Sequence, residues 1–281
     1  MYTLSVHSSI GSLILSDNKN YHIARIDGLT PAKASINSSA IAGGDGAAFN
    51  SASVGTRNIV ITVLPNHPVA ANRQAIYRVF PIKGAVTIRF SAEGRDVQID
   101  GYVEYIDGDL FSNRQALQIS IICMQPYFKS AQEIVDTLSS IISMFEFPFA
   151  IEAEGVPFSE LSLDSRVIVT NAGEAPCGAV FRIAALGVVE NPVIYNADDT
   201  TRYALNVSMQ TGDEIIIDTR RGSKSAVLIR QGVRTNIINN RASDITWFQL
   251  PVGDNTFTYS AEYGVENMVL SIEHNDLYGG V

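Results

Sequence analysis

Cysteine is scarce: Cys123 and Cys177 are the only two among 281 residues, and they fall in different halves of the chain. One pair so separated excludes a disulfide-stapled scaffold and makes two buried thiols the default. Charge is thin as well. Charged residues are 17% of the chain, Asp and Glu outnumber Lys and Arg by 29 to 20, and the pI is near 4.9. Without clustered basic side chains to neutralise phosphates, sequence recognition of nucleic acid is excluded. The four histidines, His7, His22, His67 and His274, stand far apart with no second ligand at helical or hairpin spacing. Neither a metal nor a cofactor is therefore expected. No basic-then-apolar start marks a signal peptide. The most apolar window, residues 138–151, is broken by Glu146 and Pro148 and falls short of the roughly twenty residues that cross a bilayer. A soluble chain made in the cytoplasm, without membrane insertion, is the expectation.

What is abundant is apolar residues in short alternating runs. Val97, Ile99, Val103 and Tyr105 lie two apart or in phase, and so do Leu117, Ile119, Ile121 and Cys123. Asp107-Gly108-Asp109 between them supplies the turn, so the two runs read as an antiparallel pair with one buried face. Pro126 ends the second strand, because proline has no N–H for a ladder. Upstream, residues 21–28 read as a strand carrying Ile23 and Ile26, and residues 57–64 as one carrying Ile59, Ile61 and Val63. Residues 72–80 put Ile76, Val79 and Phe80 on one helical face before Pro81, and Val86, Ile88 and Phe90 alternate again. The first part is therefore a small β-sandwich or rolled sheet with one packed helix.

Residues 35–56 are small and polar, and we read them as a long loop. Gly43-Gly44-Asp45-Gly46 invites comparison with a phosphate-cradling loop, but no Lys-Ser or Lys-Thr follows and the next element is a strand. A loop of this length in a compact domain usually serves a purpose, and wrapping a neighbouring subunit is the plainest. Ile41, Gly44, Asp45, Gly46 and Phe49 are accordingly the candidate residues of an interface arm.

Ser130-x-x-Glu133 has the form of a capping box, and Ile134, Val135, Leu138, Ile141, Ile142 and Phe145 recur at helical spacing. We read a linker helix there, packing between domains, since its polar side lacks the Lys and Arg of a membrane-surface face. Beyond it, short strands alternate with turns such as Asn171-Ala172-Gly173, Thr211-Gly212-Asp213 and Val252-Gly253-Asp254, the grammar of a second β-sandwich or jelly roll. Residues 1–130 sum to +2 and residues 131–281 to −11, giving the net −9. The expected division is residues 1–128 and residues 129–281.

No chemistry stands out. A Gly-x-Ser-x-Gly elbow is absent, and Asp198-Asp199 and Asp107-Gly108-Asp109 read as turns rather than a calcium site. Trp247, the only tryptophan, is either a sugar-stacking platform or a core aromatic, and with no second tryptophan beside it the core reading is preferred.

Longer patterns then carry a resemblance. Arg25-Ile26-Asp27-Gly28, Gly44-Asp45-Gly46 with Phe49, Arg57-x-Ile59-x-Ile61, Asn72-Arg73-Gln74 with Phe80, Gly101-Tyr102-Val103-Glu104 and Cys123-x-x-Pro126-Tyr127-Phe128 occur in order. The second half adds Asn171-Ala172-Gly173, Gly212-Asp213-Glu214, Trp247-x-x-Leu250-x-x-Gly253-x-Asn255 and Leu277-Tyr278-Gly279-Gly280-Val281. Together they resemble the distal tail (Dit-like) proteins of long-tailed phages, components of the siphophage tail hub. The resemblance implies a mainly β protein: an N-terminal sandwich that builds a hexameric ring and a C-terminal galectin-like sandwich, with no room for an inserted carbohydrate-binding module. It also implies a structural, non-enzymatic part of the virion tail tip. The implied partners are the tail tube protein, the tape-measure protein, the tail-associated hub or lysin protein and receptor-binding proteins. A carbohydrate-binding lectin is the alternative, since galectin-like sandwiches bind sugars elsewhere, although fold alone does not carry that function; a glycosidase comes third.

Overall fold

The alternating runs become strands in the computed structural model, which describes residues 2–16, 18–92, 94–109, 111–112, 115–139, 141–143, 159–161 and 166–281. Two compact units emerge, Met1–Ala131 with Leu277–Val281, and Gln132–Asp276.

In the first unit the strands are β1 (Tyr2–Ser8), β2 (Gly11–Ile14), β3 (Tyr21–Asp27), β4 (Ala34–Ala40), β5 (Ala47–Val54) and β6 (Arg57–Pro65). After helix α1 (Val69–Val79) come β7 (Ala85–Ala92), β8 (Arg95–Gly108), β9 (Leu117–Cys123) and β10 (Phe128–Ser130). The main sheet runs β2-β1-β7-β8-β9-β6-β3, with β10 joined to β8. Ile59, Ile61 and Val63, two apart on β6, are each fully buried. Helix α1 lays Ile76 and Val79 into the same core and packs on β1, β2 and β6, with Phe80 buried just behind it.

Strand β8 shapes this core by changing partners along its length. Residues 95–102 pair with β7, and from Tyr102 onward the strand pairs with β9. Gly101 sits at the changeover, where a Cβ would lie 2.7 Å from Ile121 Cγ2 and 2.9 Å from Cys123 Sγ. Only glycine allows that approach. A bulge between Val103 and Tyr105 then reverses the phase of the strand. Tyr105, expected inside with Val97, Ile99 and Val103, is turned outward and is 40% exposed, while Ile106 packs against the core.

Pro126 lies beyond the end of β9, as expected, but it does not close the sheet. Strand β10 follows it and pairs with Val97 and Gln98 of β8. The stretch 35–56 is not a loop either: β4 and β5 form an antiparallel hairpin.

The linker helix is also overturned. Strand β11 (Ile134–Ser139) pairs along its whole length with a later strand, and β12 (Ile141–Ser143) pairs with β13 (Ser159–Leu161). Ile134 and Leu138 are four apart, which suits a helix face and one side of a strand equally. Asp136 between them decides the matter by lying half-buried on their side, while Val135 and Thr137 face out. The β-branched Ile134, Val135 and Thr137 favour the pleated form once a partner strand is available. Phe145, the last residue of the proposed stripe, and most of the apolar window 138–151 lie outside the described residues.

The second unit continues with β14 (Arg166–Asn171), β15 (Ala179–Ala185), β16 (Val189–Glu190), β17 (Val193–Asn196), β18 (Arg202–Ala204), β19 (Ser208–Met209) and β20 (Glu214–Asp218). Then come β21 (Ser225–Arg230), β22 (Val233–Asn236), β23 (Gly253–Ser260) and β24 (Met268–His274). A six-stranded sheet, β11-β24-β15-β20-β21-β22, faces a four-stranded one, β14-β23-β17-β18. Phe181 from the first and Phe257 from the second meet at 5.2 Å between ring centroids, each 5.3 Å from Phe248. These tilted and edge-to-face contacts bridge the two layers.

The chain then leaves the second unit. Its last strand, β25 (Leu277–Tyr278), pairs with β10 of the first unit, so the second unit is an insertion rather than the whole of residues 129–281.

Candidate assembly interface

The β4–β5 hairpin is the most unusual surface of the first unit. Every residue of β4 is exposed, and every residue of β5 except the partly covered Val54. No other strand joins it among the described residues. A two-stranded hairpin without a partner is marginal in water, and its unpaired edges invite further pairing.

Its two faces differ chemically. Ala34, Ile36 and Ala40 point to one side of β4, opposite Val54, Ala52 and Ala47 of β5. Asn50 is an extra residue on β5, since Asn37 pairs with Ser51 and Ser38 with Phe49. In a straight ladder Phe49 would face the other way; the bulge returns it to the side of Ile36. On the opposite face Asn37 Nδ2 donates to Ser51 Oγ at 3.0 Å and Asn50 Nδ2 to Ser39 Oγ at 2.6 Å. The hairpin is thus amphipathic, yet its apolar face is open: Ile36 is 66% and Phe49 68% exposed. Asp45 is the only charge in residues 34–56, so no charged side chain guards the strand edges.

Of the candidate residues, Ile41 closes β4 and is exposed, Gly44, Asp45 and Gly46 make the tip, and Phe49 lies on the apolar face. Gly46 adopts φ +94° and Gly43 φ +74°, backbone that glycine adopts freely. Ile36, Ala52 and Val54 complete the face and escaped the sequence reading, although Ala34-x-Ile36 already alternates. A second apolar surface, an open groove of about 230 Å³, is lined by Tyr2, Ile23, Ile26, Leu29 and Phe90.

At the hairpin's root lies Arg57, only 3% exposed. Its Nε–H donates to Pro126 O at 2.6 Å, one Nη to Gly28 O and to Thr30 O at 2.8 Å, and the other Nη to Gly279 O. The guanidinium lies 4.7 Å over the Phe128 ring. Burial draws the Arg57 pKa below its ordinary value, and among the described residues no carboxylate forms an ion pair with it, so carbonyl dipoles carry the compensation. Gly28 is obligatory beside it. Its φ is +88°, and a Cβ would fall 2.2 Å from Asn58 O.

Among the described residues, Asp109, Asp198, Asp199, Trp247 and the two cysteines fall in turns and cores. Asp199 Oδ1 accepts from Thr201 N and Asp109 Oδ1 from Phe111 N, as turn-forming aspartates do, while Asp198 Oδ2 accepts from Thr256 N, 58 positions away. Trp247 is half-buried with Tyr203 against it edge-on at 5.2 Å and Lys224 Nζ 5.6 Å from its ring centroid. The thiols of Cys123 and Cys177 are buried, and burial pushes them up to about 11 and about 12. Among the described residues no group of three or more His, Cys, Asp or Glu is placed to hold a metal ion.

Comparison with known proteins assigns this architecture. No curated protein matches the chain in sequence. Residues 172–275 match the family of the siphovirus-type tail component, C-terminal domain. Among solved structures, the fold is similar to the Dit protein (gp 19.1) of phage SPP1, described as a paradigm of the hub adsorption apparatus in phages infecting Gram-positive bacteria. That likeness has a TM-score of 0.68 at 14% identity over 99% of each chain. A chain of the phage P2 baseplate in its activated conformation with Ca is similar at a TM-score of 0.55 and 11% identity, covering 98% of each chain. Residues 172–275 thus match the C-terminal domain of the siphovirus-type tail component, and the chain along nearly its whole length shares its fold with the Dit protein of phage SPP1 and with a chain of the phage P2 baseplate.

Proposed function

We propose that this protein assembles as a homo-hexameric ring at the tip of the virion tail, joining the tail tube to the host-adsorption apparatus. The open amphipathic hairpin carries this reading. A face holding Ile36, Phe49, Ala52 and Val54 gains roughly 25 cal/mol for each Å² of apolar surface it buries on a neighbour. A contact between unlike patches of identical subunits closes into a ring when the rotation allows. The first unit builds that ring, and the second, carrying most of the negative charge, faces outward for peripheral partners, where like charges repel least. The tube, tape-measure, hub or lysin and receptor-binding proteins are the proposed neighbours. The role is structural throughout, with no catalytic step by this chain, which is made in the host cytoplasm before joining the virion.

Light scattering and negatively stained micrographs of the purified chain test the ring directly. Deleting residues 41–51 removes the tip and Phe49 while leaving both units folded, and is expected to yield monomers. A deletion variant that still ran as a hexamer would sink the arm.

A further inference from the structure

Five residues that follow the second unit in the chain are built into the root of the hairpin. Leu277 pairs with Lys129 and Tyr278 with Phe128. Gly279 O accepts from Arg57, the residue whose guanidinium also holds Gly28 O and Thr30 O. Arg95 donates Nη1–H to Gly280 O at 3.0 Å and lies 4.7 Å over the Tyr278 ring. Val281 N donates to Leu29 O at 3.1 Å. Gly280 itself presses on the root: a Cβ there would stand 3.0 Å from both Leu29 O and Pro31 Cδ. Three residues beyond Pro31, β4 begins.

Among the described residues no strand outside β4 and β5 pairs with the hairpin, so the described contacts that set its direction are those at its root. At about 3.3 Å per residue it projects by roughly 25 Å, and a rotation of about 20° at the root would carry its tip by about 9 Å. That displacement exceeds the tolerance of a packed apolar contact.

We infer that Leu277–Val281 is a clasp that aims the hairpin, so that a chain becomes competent to assemble only after the second unit and the segment behind it have been synthesised. The clasp fills no core of the second unit; it belongs wholly to the first. A chain truncated anywhere within the second unit therefore folds most of its ring-building sheet yet carries an unaimed arm, and is kept out of the ring. Arg57 is the positioning residue of this device, since one guanidinium holds the carbonyls of the root, the Pro126 corner and the clasp together.

The inference rests on the hairpin being the assembly arm, and two full-length backgrounds separate the two ideas. Gly280→Val crowds Leu29 and Pro31 without removing a hydrogen-bond donor, and deletion of residues 279–281 removes the Gly279 O and Gly280 O acceptors of Arg57 and Arg95 while keeping the β25 pairing. Both variants should unfold cooperatively by circular dichroism and run as monomers by light scattering where the unaltered chain is oligomeric. Amide exchange at residues 30–34 should speed up about tenfold in each. Folded Gly280→Val protein that assembles like the unaltered chain overturns the clasp. Loss of cooperative unfolding in both variants overturns it too, because the segment would then be a stability element rather than a positioning one. If the deletion of residues 41–51 still assembles, the arm itself has failed. If that deletion is monomeric while Gly280→Val assembles, the arm stands and only the clasp falls.

Discussion

At the residue scale, the side chains that matter most are those whose partners are backbone atoms far off in sequence. Arg57 reaches a carbonyl 222 positions away, and Asn171 Nδ2 donates to Ala175 O and Leu250 O, tying a β14 turn to the loop before β23. Asp213 is the charged counterpart in the second unit. It is 3% exposed, accepts from Gln210 N at 2.7 Å and pairs with Arg230 at 2.6 Å. The Arg230 hydrogen bond holds its carboxyl below the ordinary carboxylate value, against the opposing effect of burial. A depressed folded value means stabilisation that is present above the unfolded pKa of about 4 and is lost as pH falls through the folded one. The melting temperature of the second unit should therefore drop as pH falls below about 4, and Asp213→Asn should flatten that part of the curve. At pH 7 the same substitution should cost about 2 kcal/mol, read from denaturant midpoints, because Gln210 N loses a charged acceptor and Arg230 its partner. An unchanged acid limb in the Asn variant would remove Asp213 from the account.

Elements follow a different logic, in which one inserted residue decides which face a strand presents. The bulges at Asn50 and at Glu104 act in opposite directions. The first gathers Phe49 onto the apolar side of the hairpin, and the second expels Tyr105 from the core side of β8. Phe49→Ser should accordingly leave the fold untouched and weaken assembly. Burying one phenyl is worth about 2 kcal/mol, so the concentration at which oligomers form should rise roughly thirtyfold. Analytical ultracentrifugation over a dilution series reads this directly, and an unshifted midpoint would show that the face is not the contact.

For the whole molecule, the arrangement of units as host and insertion has a mechanical consequence. Because Leu277 pairs with Lys129, Ala131 and Leu277 lie within about 10 Å of each other, two residues beyond a strand pair. A flexible linker of about four residues replacing 132–276 should close that gap, leaving a folded first unit that retains its clasp and still oligomerises. Light scattering of that shortened chain checks it, with a monomer as the contrary result. The segment 1–128 taken as a domain by sequence would lack β25, part of β10 and every acceptor that the clasp provides.

What the sequence by itself determined is local. Period-two runs marked β6, β7, β8 and β9, and a 3.6-residue face bounded by Pro81 marked α1, because alternation records which side of an element meets a core. Glycines at forced backbone positions could be read as turns for the same reason. Tertiary structure alone decided the rest. Residues 134–138 satisfy both periods, and only the presence of β24 as a partner made them a strand. Residues 35–56 hold few large side chains among many small polar ones and so read as a loop, although a ladder needs only backbone groups. The return of Leu277–Val281 to a sheet begun at the other end of the chain has no local signature at all: its hydrogen bonds run to carbonyls and guanidinium groups that folding brings together, and a carbonyl has the same identity at every position in a sequence.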